Sequence, residues 1–164
     1  MAQSTVIKNF RDGTLVFTDN TGTPLSLPIV FEAGDFSIDN LNEGLVETTA
    51  YLDRGEFATL RKTNRVFPSF SFTAHQTDLS DATDKLLYDL ARKLGAFTAA
   101  VSTLGAASDA MTYKLTWTCE GTNFGDIGDH ILALNDCRVT LSISEGDPNS
   151  FSVSGIVYGT IIAT

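Results

Sequence analysis

The sequence predicts a mainly β protein: an antiparallel β-sandwich or barrel with one flanking α-helix and a long polar loop or hairpin. Three observations predict it. Apolar and polar residues alternate along most of the chain, and strand side chains point to opposite faces in turn, so each run reads as a strand with one buried face. One segment alone, residues 80–94, repeats its apolar residues at helical spacing. Turn signals rich in Gly, Asp, Asn and Pro separate the runs at short intervals.

Taken in order, Ser4 to Asn9 and Gly13 to Thr18 read as strands joined at Arg11-Asp12-Gly13, because Asp-Gly favours a hairpin turn. Asp19-Asn20-Thr21-Gly22 is a second turn. Leu25 to Phe31 follows as an edge strand, because Pro24 and Pro28 cannot donate to a ladder. Gly34 opens a short strand over Asp35 to Ile38. Val66 to His75 alternates with Phe70 and Phe72 on its apolar face and Pro68 near its start. Ala82, Leu86, Leu87, Leu90, Ala91 and Leu94 then form one helical stripe. Ser80, Asp81 and Asp84 stand at the start of that helix, Arg92 and Lys93 in its last turn, and Gly95 at its stop. Phe97 to Val101 reads as a short strand and Ser102 to Ala110 as a mobile loop. Met111 to Cys119 carries the cleanest alternation in the chain. Gly121 to His130 is a loop, and Ile131 to Ser144 is a strand pair or one long bent strand. Gly146-Asp147-Pro148-Asn149 makes a tight turn. Phe151 to Ile162 reads as a final strand covered on both sides.

The segment from Asp39 to Arg65 has a different character. It has few large apolar residues and two turn signals, Asn42-Glu43-Gly44 and Asp53-Arg54-Gly55. Arg54, Arg61, Lys62 and Arg65 are four of the eleven basic residues, packed into twelve positions. Structureless insertions of this length are uncommon unless functional. The bland reading is a solvated hairpin whose surface ion pairs contribute little; the sharper one is an arm that docks on a partner of complementary charge.

The net charge of −9 argues against a phosphate-binding role, which needs a lysine and arginine footprint. No apolar run approaches the roughly 18 residues of a membrane span, and the N-terminus lacks a basic region followed by an apolar core. Cys119 and Cys137 sit in strand-like segments and read as small buried hydrophobes in a reducing compartment. None of the His-Glu-x-x-His, Gly-x-Ser-x-Gly or phosphate-loop patterns occurs. The expectation is therefore no enzyme, no catalytic residue, no metal and no cofactor. Asp126, Asp129 and His130 are a loose metal-ligand grouping without a second cluster. A dispersed hydrolase site would have to join His75 or His130 to a carboxylate.

The order of elements resembles the tail tube (major tail) proteins of long-tailed bacteriophages. The residues that carry the likeness are the Gly34-Asp35-Phe36-Ser37 strand, the long charged loop, the Leu60 to Thr73 run LRKTNRVFPSFSFT and the acidic-started helix, all within Gly34 to Leu94. What the resemblance implies is a single domain, related in fold to type VI secretion tube proteins, that packs into hexameric rings stacked as a tube. The implied partners are the protein itself, tail tip or baseplate, tape-measure and tail-terminator proteins. DNA passes the lumen without specific binding, and no membrane insertion is involved. The implied location is the virion tail, assembled in the host bacterial cytoplasm. In that family the long loop contacts the next ring, which makes Asp39, Glu43, Glu47, Arg54, Arg61, Lys62 and Arg65 the candidate ring-to-ring contacts. The N-terminal arm around Ser4 to Phe10 is a further contact candidate. Many relatives carry an extra C-terminal immunoglobulin-like domain, for which this sequence shows no counterpart. The alternative reading is a non-polymerising β-sandwich that binds carbohydrate or a protein ligand.

Overall fold

A computed structural model describes residues 13–31, 35–42, 46–51, 59–79, 81, 83–122 and 127–164, with side chains described at all of these except 48–51 and 59–63. The strands are β1 (Thr14–Thr18), β2 (Ser26–Ile29), β3 (Ser37–Asp39), β4 (Val46–Tyr51), β5 (Thr59–Arg65), β6 (Ser69–His75), β7 (Tyr113–Cys119), β8 (His130–Ser144), β9 (Ser150–Val157) and β10 (Ile161–Ala163). Eight of them form one antiparallel sheet in the order β2-β1-β7-β8-β9-β6-β3, with β10 continuing the β9 side of β8. Strands β4 and β5 pair with each other as a separate two-stranded sheet. The fold is thus the mainly β sandwich or barrel, with a flanking helix, that the alternation predicts.

The sheet curls back on itself. Past the end of β2, Phe31 pairs with Ala74, and the His75 amide donates to the Val30 carbonyl at 2.9 Å. β6 therefore has β9 on one side, and both β3 and the β2 extension on the other. Curling of this kind removes an open edge, where unpaired backbone groups would template association. β8 stays continuous along its fifteen residues by bending at Asp136, whose φ is 54°. The Asp136 and Asn135 carbonyls there accept from the Tyr158 and Gly159 amides of the β9–β10 junction.

The enclosed face is aromatic. Phe17 lies 6.4 Å from Phe70, 6.3 Å from Phe72 and 6.4 Å from Tyr113. Phe31 and Phe36 extend the cluster from Phe72, Trp117 from Phe36, and Phe97 from Tyr113. Tilted and edge-to-face pairs dominate, as ring quadrupoles favour. Gly155 is the place where this packing requires glycine: a Cβ there would meet the Phe70 ring and the Arg138 carbonyl oxygen. Cys119 and Cys137 are buried free thiols. Burial, its first cause, pushes the Cys137 thiol up to about 12.

Helix α1 spans Leu87–Arg92, less than half the length expected. Two local interactions shorten it. The Asp81 carboxylate accepts from the Thr83 and Asp84 amides and the Thr83 hydroxyl, making a side-chain turn that competes with the first helical turn. Leu86 is then extended, and no side chain caps the helix start. At the other end Lys93 and Gly95 take positive φ, and a Cβ on Gly95 would strike the Asp89 carboxylate. Leu86, Leu87 and Leu90 are buried as expected, whereas Ala91 and Leu94 are exposed. The Tyr113 hydroxyl donates to the Leu90 carbonyl at 2.9 Å and pins the helix to β7.

Two further expectations, on residues 97–101 and on the final strand, are corrected. Phe97 to Val101 is not a strand: Gly95–Phe97 is a 3₁₀ turn, followed by a turn closed by the Ala100 amide on the Phe97 carbonyl. Residues 102–110 are held by a hydroxyl network in which Ser102 and Thr112 are 2.8 Å apart and Thr103 and Thr112 2.9 Å apart. The final strand is covered on one side only, since Ser152, Ser154 and Ile156 alternate with buried Phe151, Val153, Gly155 and Val157. The expected Ser4 to Asn9 strand, the turns at 11–12, 43–44 and 53–55, and Gly34, Ser80, Ala82 and Asp126 lie outside the described residues.

Replacing Gly155 with alanine is expected to lower unfolding free energy by about 1–3 kcal/mol through overpacking against Phe70. The neighbouring exposed Ser154→Ala should stay within about 0.5 kcal/mol. Urea unfolding curves with unchanged slope check both.

Candidate assembly surfaces

Strand β6 organises the candidate surfaces, because its two ends carry different chemistry. At its start lies the base of the β4–β5 hairpin. Val46 pairs with Arg65, the Arg65 guanidinium carbon sits 4.9 Å from the Phe67 ring centre, and Phe67 packs edge-on against Tyr158 at 4.9 Å. The Val157 amide donates to the Pro68 carbonyl at 2.8 Å. These contacts fix where the hairpin leaves the barrel.

Of the sequence candidates, Asp39 is exposed at the end of β3, paired with Ser69, at this same end. Glu47 is exposed on β4, and Asn64 Nδ2 donates to its carboxylate at 3.2 Å. Arg61 and Lys62 occupy β5 positions opposite Thr49 and Thr48. Arg65 is exposed. Glu43 and Arg54 lie outside the described residues. The fold thus gathers Glu47, Arg61, Lys62 and Arg65 on one hairpin, with Asp39 on the adjoining sheet corner.

At the far end of β6, about 20 Å away at strand rise over its seven residues, the chain runs on into an open cleft of about 630 Å³. Ser26, Pro28, Thr77, Asp78, Asp84 and Lys85 are among its lining residues. Lys85 Nζ donates to the Ser26 carbonyl at 3.1 Å across it. Asp81 adjoins this cleft in sequence, and the hydrogen bonds from the Thr83 hydroxyl and amide and the Asp84 amide lower its carboxyl to about 2. Sequence reasoning assigned Asp81 and Asp84 to the helix start, gave Asp78 no role, and so missed the cleft. The one available signal was that three of them recur within seven residues, from Asp78 to Asp84.

Between the two ends, the outer face of β8, β9, β6 and β3 carries hydroxyls in register. Thr140, Ser154, Ser71 and Ser37 form one row across four strands, with the Ser37 and Ser71 hydroxyls 2.8 Å apart. Ser142, Ser152 and Thr73 form the next, and the Thr73 amide donates to the Asp35 carboxylate. The charged members of the following row, Arg138 and Asp39, flank Ile156 and Ser69. The β6 and β8 parts of this face are legible as alternation in the sequence. The β9 part was missed, because the mixture of serine, glycine and apolar residues reads as a strand buried on both sides.

With the geometry in view, the fold can be compared with solved structures. The sheath/tube terminator of an extracellular contractile injection system (PVC), in its extended state, matches with a TM-score of 0.52 at 10% identity, over 99% of both chains. The chain shares that fold. A chain of the anti-feeding prophage (AFP) baseplate matches with a TM-score of 0.48 at 11% identity, over 99% of this chain and 97% of the other. No protein-family model and no curated protein matches the sequence.

Elsewhere, polar side chains are committed to the backbone. Asp129 accepts from the Gly121 and Thr122 amides and the Thr122 hydroxyl, and the Thr122 hydroxyl is the first cause holding its carboxyl below the usual range. Buried Asp19 accepts from the Thr21 hydroxyl and from the Leu25 and Val101 amides, tying the first turn to the loop after the helix. Burial first, and then the charge of Asp19, push the Tyr113 phenol up to about 12.

The Asp81 turn carries a pH dependence. Its carboxyl is lower in the folded protein than its ordinary 3.8, so its contribution to stability is present above about pH 4 and lost as pH falls through about 2. Protection factors at the Thr83 and Asp84 amides, taken relative to intrinsic exchange at each pH, should fall over that window in wild type, and Asp81→Asn should show the lower protection already at neutral pH.

Proposed function

We propose that this protein is a structural component of a phage-like tail, forming rings that stack into a tube through which DNA passes, with the hydroxyl-row face toward the channel. The observation that carries the reading is the fold shared end to end with the sheath/tube terminator of a contractile injection system. The polar β4–β5 hairpin supports it, since it pairs with no strand of the main sheet among the described residues and so is available to a neighbour. A contact that closes on itself makes a ring, and an axial contact that does not close makes a stack. The hydroxyl face suits a channel wall. Its two inner rows offer solvated Ser and Thr groups and no lysine or arginine to condense on phosphate. In this reading the role is structural, not catalytic, and the location is a virion tail.

A second reading follows from the same neighbour. In that reading the chain forms a single ring that ends a tube through one mating face and does not elongate.

Negative-stain electron microscopy with sedimentation velocity over a concentration series tests both. Rings and hollow tubes are the expected outcome, seeded where necessary by tail-tip complexes. Rings that never stack favour the terminator reading. Monomers that persist in the presence of tail-tip complexes overturn both and leave the ligand-binding sandwich.

A further inference from the structure

We infer that the outer edge of β10 pairs with β10 of a second copy of this chain, antiparallel about a two-fold axis at Ile162. Such a pair closes on itself, and so it is a state separate from the head-to-tail rings and stacks proposed above.

The observation that carries it is one edge left open where the others are guarded. β10 pairs with β8 on one side and, among the described residues, with no strand on the other. The other outer strands of the main sheet carry the devices that keep edges apart. β2 contains Pro28, and Lys85 Nζ donates to its Ser26 carbonyl. β3 ends in the exposed Asp39 and turns away at Asn40, whose φ is 59°. β10 has none of these: it reads Ile161-Ile162-Ala163, without proline or charge, and Ile162 is 52% exposed.

Ladder parity fixes what this edge offers. The Ile131 amide donates to the Thr164 carbonyl at 2.8 Å, and the Thr164 amide donates to the Ile131 carbonyl at 2.9 Å. Bonded and non-bonded pairs alternate along an antiparallel ladder. Ile162 therefore turns its backbone groups onto Ala133, while the N–H and C=O of Ile161 and of Ala163 point to the open side. An antiparallel copy centred on Ile162 sets Ile161 of each chain opposite Ala163 of the other, which bonds all of these groups at once. It also brings Ile162 against its own counterpart, with about 4.5 Å between Cα atoms. A short edge that satisfies itself completely under a two-fold axis selects a second copy as its occupant.

Charge agrees. The side chains of residues 131–134 and 160–164 are uncharged, so two copies, each of net charge −9, meet here without a charged side chain in the contact. Their long-range repulsion remains, and salt screens it, so pairing should strengthen as salt is added. A strand of three residues buries far less than the roughly 800 Å² per partner of a stable complex, which makes the pair concentration-dependent.

Sedimentation equilibrium of the protein without tail-tip complexes tests this. Wild type should pass from monomer to dimer as concentration rises, and at lower concentration when salt is added. Ile162→Lys sets like charges together on the axis, and Ala163→Pro removes an outward N–H without touching the β8 ladder. Both should lose the dimer while circular dichroism shows an unchanged fold. Under mild oxidation Ile162→Cys should give a covalent dimer on non-reducing gels, because its counterpart lies within the Cα separation of about 7 Å that a disulfide spans. Thr164→Cys is as open to solvent but falls opposite Thr160 of the other chain, and should give none. A wild type that stays monomeric at every concentration, a dimer that survives either substitution in a folded variant, or equal cross-linking from Thr164→Cys overturns the inference. Tubes seen by electron microscopy decide the assembly reading separately.

Discussion

The pairing of β6 on both sides is the constraint on which the structure depends. On one side it zips to β9 along its whole length, with Gly155 admitting the Phe70 ring. On the other it takes β3 near its start and the β2 extension near its end. That double engagement curls the sheet, encloses Phe70 and Phe72, and sets the hairpin and the acidic cleft at opposite ends of a short strand. A slip of one residue would turn Phe70 and Phe72 outward and Ser71 and Thr73 inward. The aromatic core is therefore what specifies which residues face outward.

The core and the outer surfaces answer to different physics. Inside, ring packing and the buried Asp19 and Tyr113 hydrogen bonds fix the geometry, because an unsatisfied polar group there costs about 1–3 kcal/mol. Outside, the hydroxyl rows, the basic hairpin and the acidic cleft contribute little to folding, since exposed charges are screened. They are free to serve association. A fold can thus carry assembly surfaces at low cost to its own stability.

The sequence reveals strands where one face is buried and the other wet: β6, β7 and the second half of β8 stand close to their expected positions, and β4 and β5 pair within the charged segment. It misleads where local hydrogen bonding overrides periodicity. Asp81 spends its carboxylate on a turn, so the leucine stripe becomes a six-residue helix. Gly95, with positive φ and Asp89 close by, turns the following apolar residues into a 3₁₀ turn instead of a strand. The β4–β5 segment was visible as a cluster of cations. The cleft was not, because it is assembled between β2 and residues 77–78 and 83–86, which lie about fifty positions apart in the chain.

The register of β6 against β9 is the claim on which the rest depends, and a disulfide trap tests it most directly. Ser71 and Ser154 are exposed partners across the two strands, within the Cα separation of about 7 Å that a disulfide can span. The native Cys119 and Cys137 are buried and leave the readout clean. Under mild oxidation, Ser71→Cys/Ser154→Cys should form an intramolecular disulfide, seen as a faster-running monomer on non-reducing gels and absent from either single-cysteine variant. A folded double variant that gives no such product would contradict the register.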